Sequence, residues 1–196
     1  MVNCLVARNL RLFEGWHILV SAVLVIDAQF EILKSQPSNT KVQGAFQRIN
    51  QVIAAGRKAG SLIIYIRNLT SNAVTVDGEE FAAFSSPFDV RASDYIVEKK
   101  TPDSFFGSSL EYLLVKLSVG SLYICGMRTE CCVDATVRSA LARGYPVFLV
   151  SDGHTTDDKA HLSAEQIVNH HNETLASIST YNARATVVPI CELSFQ

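Results

Sequence analysis

The sequence places an acid, an amine and a thiol at the ends of three apolar runs. Asp27 closes residues 22–27 (AVLVID) and Lys99 closes residues 95–99 (YIVEK). Cys132 stands six residues past the end of 121–126 (SLYICG). A carboxylate beside hydrophobic walls has a raised pKa, which suits it to proton transfer. A neighbouring ammonium would hold a carboxylate and a thiolate in their charged forms. Thr129 is a good N-cap and would put Cys132 at the third helical position. Free N–H groups and the positive end of the helix dipole would favour a thiolate there, and could hold a developing oxyanion. Acid, amine and thiol together suit covalent catalysis at a carbonyl carbon. Each also has a plainer reading. Asp27 could be a solvent-facing strand end, Lys99 a surface lysine with Lys100 as an equal candidate, and Cys132 a buried packing residue. Cys131 points about 100° around the helix from Cys132, so both cannot face one pocket equally.

Six short runs supply the strands that would position these groups. They are residues 22–27, 61–67 (SLIIYIR), 95–99, 121–126, 146–152 (PVFLVSD) and 185–190 (ATVVPI). Unbroken apolar runs, rather than alternation, mark strands buried on both faces of a parallel sheet. Helical periods lie between them. Residues 41–59 carry Val42, Ala45, Phe46, Ile49, Val52 and Ile53 on one face, with Gly60 as a stop. Residues 109–117 repeat Leu110, Leu113, Leu114 and Leu117, and helices over 129–143 and 163–178 follow. This alternation predicts an α/β chain: a three-layer α/β/α sandwich around a central, mostly parallel six-stranded sheet. In such sheets ligands bind outside the carboxyl ends of the strands, so Asp27, Lys99 and Cys132 are expected on one edge. Cys125 and Cys191 fall in strand runs and read as buried packing residues. Residues 68–93 lack periodicity, and a segment of that length reads as a functional loop or an interaction arm.

The chain has 196 residues, 48% hydrophobic and 18% charged, which excludes a disordered chain and fits a single domain. A net charge of −2 gives none of the basic surplus of a nucleic-acid binder. The five cysteines are odd in number and lack C-x-x-C pairing, which argues against a disulfide scaffold or a zinc ribbon. A reducing, cytoplasmic compartment is expected. No apolar run reaches the ~20 residues of a membrane span. Residues 1–21 read as an N-terminal extension before a domain over 22–196. Arg8, Arg11 and Glu14 suit a presequence, but serines and a cleavage pattern are missing, so an extra turn or strand, or a start placed too early, is the reading. The turn at Asp27-Ala28-Gln29 lacks G-x-G-x-x-G, which speaks against dinucleotide binding.

Four stretches resemble the isochorismatase-like cysteine hydrolases, the family of nicotinamidases, N-carbamoylsarcosine amidase and isochorismatase. They are residues 24–29 (LVIDAQ), 98–107 (EKKTPDSFFG), 124–138 (ICGMRTECCVDATVR) and a group at 151–156 (SDGHTT), 162–167 (LSAEQI) and 170–172 (HHN). The last group resembles a subgroup of uncharacterised bacterial members. The resemblance covers roughly residues 22–196. It implies Asp27, Lys99 and Cys132 as the catalytic set, choosing Lys99 over Lys100 and Cys132 over Cys131. It also implies a non-proline cis peptide at Met127–Arg128, which would turn the Arg128 N–H toward an oxyanion beside the Cys132 N–H. A homodimer or homotetramer is implied as well.

The chain departs from nicotinamidases, which carry a D-x-H metal motif after the second strand. Residues 66–70 read IRNLT, without histidine, so neither a metal nor a cofactor is expected. His170 and His171 read as packing or interface residues. Isochorismatase lacks the nucleophilic cysteine, so keeping Cys132 points to C–N hydrolysis of a small amide or ureido compound. Phe30, Phe106 and Arg128 are the candidate pocket walls. Arg128 could pair with an anionic substrate or form a surface ion pair. The alternative function is a catalytically silent fold acting as a binding or redox subunit.

Overall fold

The computed structural model describes residues 19–28, 40–69, 88 and 90–195. Six strands form one sheet: β1 Val20–Ile26, β2 Leu62–Asn68, β3 Tyr95–Lys99, β4 Val119–Met127, β5 Val147–Thr155 and β6 Ala185–Val188. Their order is β3-β2-β1-β4-β5-β6, and every pairing is parallel. The six apolar runs are these six strands. Strand order reverses between β1 and β4, so the crevice between their carboxyl ends is the switch point of the sheet.

Side chains alternate along β1, and each set meets a different helix layer. Ala22, Leu24 and Ile26 join a core with Leu110 and Leu114 of α2 (Leu110–Lys116) and Val137, Ala140 and Leu141 of α3 (Asp134–Ala142). Leu175 of α4 (Ala164–Ala176) belongs to the same core. Val23 and Val25 face Val42, Phe46, Ile49, Val52 and Ile53 of α1 (Thr40–Lys58). The apolar stripe read along α1 is therefore its buried face, and the chain leaves the helix at Gly60 (φ 80°). The three-layer α/β/α sandwich is present.

Local devices set the ends that matter. Ser163 and Gln166 form a reciprocal capping box at the start of α4, satisfying two backbone donors. Gly126, next to last in β4, packs against Ile26 of β1. A Cβ there would lie 2.1 Å from the Ile26 carbonyl oxygen, so only glycine permits the approach. Register along β4 and β5 shifts after Ile124↔Leu149 and resumes at Gly126↔His154. β5 thus carries extra residues opposite Cys125, a bulge that brings His154 beside the end of β4.

Two readings are corrected here. Cys191 lies in a 3₁₀ turn, Ile190–Glu192, and is exposed, because the last strand ends two residues before that turn begins. The segment after β4 is not an α-helix capped by Thr129. It is a π turn, Thr129–Val133, entered from extended Arg128 and leading directly into α3. Most of the aperiodic segment 68–93 lies outside the described residues, as do residues 1–18.

Candidate active site

Asp27 follows the last residue of β1, with its backbone N–H still bonded to the Ile66 carbonyl of β2 (3.0 Å). Its φ of 47° is left-handed, a conformation that short polar residues such as Asp tolerate better than most. The chain breaks from the sheet at this residue. Lys99 ends β3, and its side chain is fully buried. The lysine Nζ lies 2.9 Å from Asp27 Oδ2 and donates to the Pro102 carbonyl at 3.0 Å. Asp27 Oδ1 is buried and has no partner within hydrogen-bond distance. The Cys132 thiol still faces the carboxylate closely enough to stabilise its charge. Acid, amine and thiol meet at one edge of the sheet, and Lys100 is exposed and outside the cluster.

Burial dominates the electrostatics. It pushes the Asp27 carboxyl above the ordinary carboxylate range, while the Lys99 charge, the nearby Cys132 thiol and the Lys99 contact pull it back. Burial, and then the Asp27 charge, push the Cys132 thiol up to about 12. The expected low-pKa thiolate is therefore corrected. In the resting site the proton therefore sits on sulfur, with the Asp27 carboxyl close by.

Two sets of hydrogen bonds hold the parts together. The Lys99 loop is fastened to α3 through Ser104 Oγ and Thr136 Oγ1 at 2.8 Å, and through Ser139 Oγ donating to Asp103 Oδ2 at 2.8 Å. The π turn is fastened to β5 and α4. Thr129 Oγ1 lies 2.9 Å from His154 Nδ1, and His154 Nε2 lies 2.9 Å from Asn172 Oδ1. The Arg128 carbonyl accepts from the backbone N–H of Cys131 (3.1 Å) and of Val133 (3.2 Å), the second being the wide spacing of a π turn. The Met127–Arg128 bond is cis.

Among the pocket candidates, Phe30 lies outside the described residues. Phe106 is 67% exposed, and the buried place in that loop belongs to Phe105, which shares a core cluster with Cys132. The Arg128 side chain pairs with Asp157, and both side chains are more than a third exposed, the surface ion pair of the two readings. His170 is exposed on α4, and the half-buried His171 bonds the Ile167 carbonyl of its own helix (2.9 Å). His154 and Asn172 carried no role in the sequence reading, and Thr129 only that of a helix cap. The signal was present in the SDGHTT and HHN stretches, but a polar residue's burial cannot be read from its type. Among the described residues, no group of three or more His, Cys, Asp or Glu side chains could hold a metal ion, and no helix is long and apolar enough to cross a membrane.

The model of the isochorismatase domain matches residues 21–180. This chain belongs to the isochorismatase family. It is 30% identical over 140 residues to a streptothricin hydrolase of Streptomyces noursei, covering 71% of this chain and 51% of that protein. The chain spans about half the length of the curated relatives it matches first. An isochorismatase structure from Pseudomonas putida is 27% identical, with a TM-score of 0.74, and the match covers 89% of this chain and 90% of that one. N-carbamoylsarcosine amidase from Thermoplasma acidophilum shares the fold, at 18% identity and a TM-score of 0.67 over 89% of this chain and 99% of that one. The sandwich seen here is the fold of isochorismatase-family hydrolases.

Proposed function

We propose that this isochorismatase-family protein hydrolyses a C–N bond of a small amide or ureido compound, through Cys132 as nucleophile and a thioester intermediate. One observation carries the reading. Asp27 has one oxygen on buried Lys99 and the other buried without a hydrogen-bond partner, and the Cys132 thiol lies close enough to feel the carboxylate's charge.

Asp27 takes the thiol proton as Cys132 Sγ attacks the carbonyl carbon. The backbone N–H groups of Arg128 and Cys132 receive the oxyanion. The tetrahedral adduct collapses as the C–N bond breaks, and Asp27 gives its proton to the leaving nitrogen. Water then enters, loses a proton to Asp27, and attacks the thioester. The acid departs, and the sulfur recovers its proton from Asp27. Lys99 opposes the burial that raises the Asp27 carboxyl, and so favours its ionised form between turnovers. The reaction needs no redox partner, and a small-molecule substrate is the only obligatory one. A reducing compartment such as the cytoplasm would keep the thiol competent, and a homodimer or homotetramer is the proposed assembly.

Ammonia or amine release from a broad panel of small amides, ureides and lactams tests the activity. Peptide mass spectrometry after acid quench tests the intermediate. An acyl adduct on Cys132 is expected. Turnover retained by Cys132→Ala, or an adduct on Cys131 instead, would overturn the assignment. An inert wild-type chain across the panel would favour the silent binding subunit.

A further inference from the structure

We propose that Thr129, His154 and Asn172 form a one-way hydrogen-bond chain that positions the nucleophile turn, with His154 held as its neutral Nε2–H tautomer. The inference rests on the reading of Cys132 as nucleophile.

The direction is set from the far end. The Ser151 carbonyl can only accept, so Asn172 turns its Nδ2 toward it (3.1 Å) and presents Oδ1 to the imidazole. Oδ1 can only accept, so the proton sits on His154 Nε2. The ring is 2% exposed. Burial first, and the His171 charge after it, push His154 down to about 4, against the Asn172 bond and Asp152, which raise it. Nδ1 is therefore unprotonated and accepts from the Thr129 hydroxyl, which is itself fully buried. Flipping the Asn172 amide would set carbonyl against carbonyl at Ser151, so no second arrangement satisfies the chain.

Thr129 is the first residue of the π turn. It adjoins Arg128, one proposed oxyanion donor, and stands three residues before Cys132. β5 and α4 contribute no catalytic group, yet through this chain they fix the turn that contributes two. The β5 bulge is what brings His154 within reach. Gly153 makes the bulge possible, since a Cβ there would lie 2.8 Å from Val150 Cγ1. A displacement of about 1 Å at such a turn is worth about 10²-fold in rate. Thr129, His154 and Asn172 are thus positioning residues.

The test uses p-nitrophenyl acetate, a small activated ester that acylates thiols, with Cys132→Ala as the control. Thr129→Val removes the donor with little change of shape. It should lower kcat by ~10–100-fold without raising KM, and Thr129→Ser should recover most of the loss. Asn172→Asp places a carboxylate on Nε2 and raises the imidazole pKa. Its kcat should gain an acid limb near neutral pH that the wild type lacks. ¹⁵N NMR of His154 should show a proton on Nε2 and none on Nδ1 down to pH ~5. An unchanged kcat in Thr129→Val, no rescue by serine, a wild-type profile in Asn172→Asp, or a proton on Nδ1 would each overturn the proposal. Ester hydrolysis by Cys132→Ala at the wild-type rate would instead remove the nucleophile reading beneath it, while the NMR result still reports the tautomer.

Discussion

Two ion pairs flank the nucleophile turn, and they are nearly equal in length. Lys99 lies 2.9 Å from Asp27, and Lys159 lies 2.8 Å from Glu130. Their carboxyl groups nonetheless move in opposite directions. Asp27 is raised, because burial outweighs the lysine. Glu130 is subject to the same burial effect, but Lys159 and the polar groups around the carboxyl outweigh it and hold it below its usual range. The side chains of the first pair are 0% and 10% exposed, and those of the second 35% and 25%. Distance does not separate the two pairs. Desolvation does, and it suits the inner pair to the proton transfer proposed for it, while the outer pair joins the turn to the loop after β5.

The largest effects should fall on the inner side. Cys132→Ala is expected to lower kcat by ~10⁴-fold or more, as loss of a nucleophile does in other covalent hydrolases. Lys99→Met should follow, with kcat down ~10²–10³-fold. It should also move the acid limb of kcat/KM upward, because the lysine is what pulls the Asp27 pKa down. Removing one partner of a buried pair costs about 3–5 kcal/mol at pH 7. That loss should shrink in acid, where a protonated Asp27 needs no counter-charge. A Lys99→Met variant with an unmoved acid limb would contradict the role given to Lys99.

Stability against pH separates His154 from Asp27. His154 titrates at about 4 in the folded protein, against 6.5 in the unfolded chain. The unfolded state therefore binds more protons between those values, and stability falls as pH drops from 6.5 toward 4. The full effect is roughly 3 kcal/mol. Asp27 works in the opposite sense. Its raised pKa adds stability in acid that is lost as pH rises through the folded value. Denaturant unfolding at pH 7 and pH 4.5 should show the wild type losing stability in acid. His154→Gln should flatten that dependence, and an equal acid loss in the variant would show that other groups are responsible.

Sheet, layers and the convergence of Asp27, Lys99 and Cys132 were legible because they rest on periodicity and on strand ends, which sequence displays directly. The six apolar runs became six strands, and the stripe from Val42 to Ile53 became the buried face of α1. What escaped was set by long-range packing. Nothing in TECCV distinguishes a π turn from an α turn. The raised thiol pKa escaped for a related reason. The helix-end argument sees the local dipole, whereas burial and the Asp27 charge arise from residues about a hundred positions away. His154 was visible as a residue but not as a buried one, because the β5 bulge that carries it inward leaves no period to read.

The smallest effect should come from the outer side. Arg128–Asp157 and Lys159–Glu130 both join the turn to the loop after β5, and their side chains are a quarter to nearly half exposed. Pairs with that much solvent contribute about 0.2–1 kcal/mol and weaken in salt. Arg128→Gln keeps the backbone N–H that the mechanism uses and discards only the guanidinium. It should leave kcat within ~3-fold and cost less than ~1 kcal/mol. A double-mutant cycle of Arg128→Gln with Asp157→Asn should give a coupling of the same small size, fading at high salt. A coupling of several kcal/mol, or a kcat loss matching that of Lys99→Met, would show the outer pair to be desolvated during turnover. The two sides of the turn would then differ in timing, with the outer pair buried only once substrate arrives.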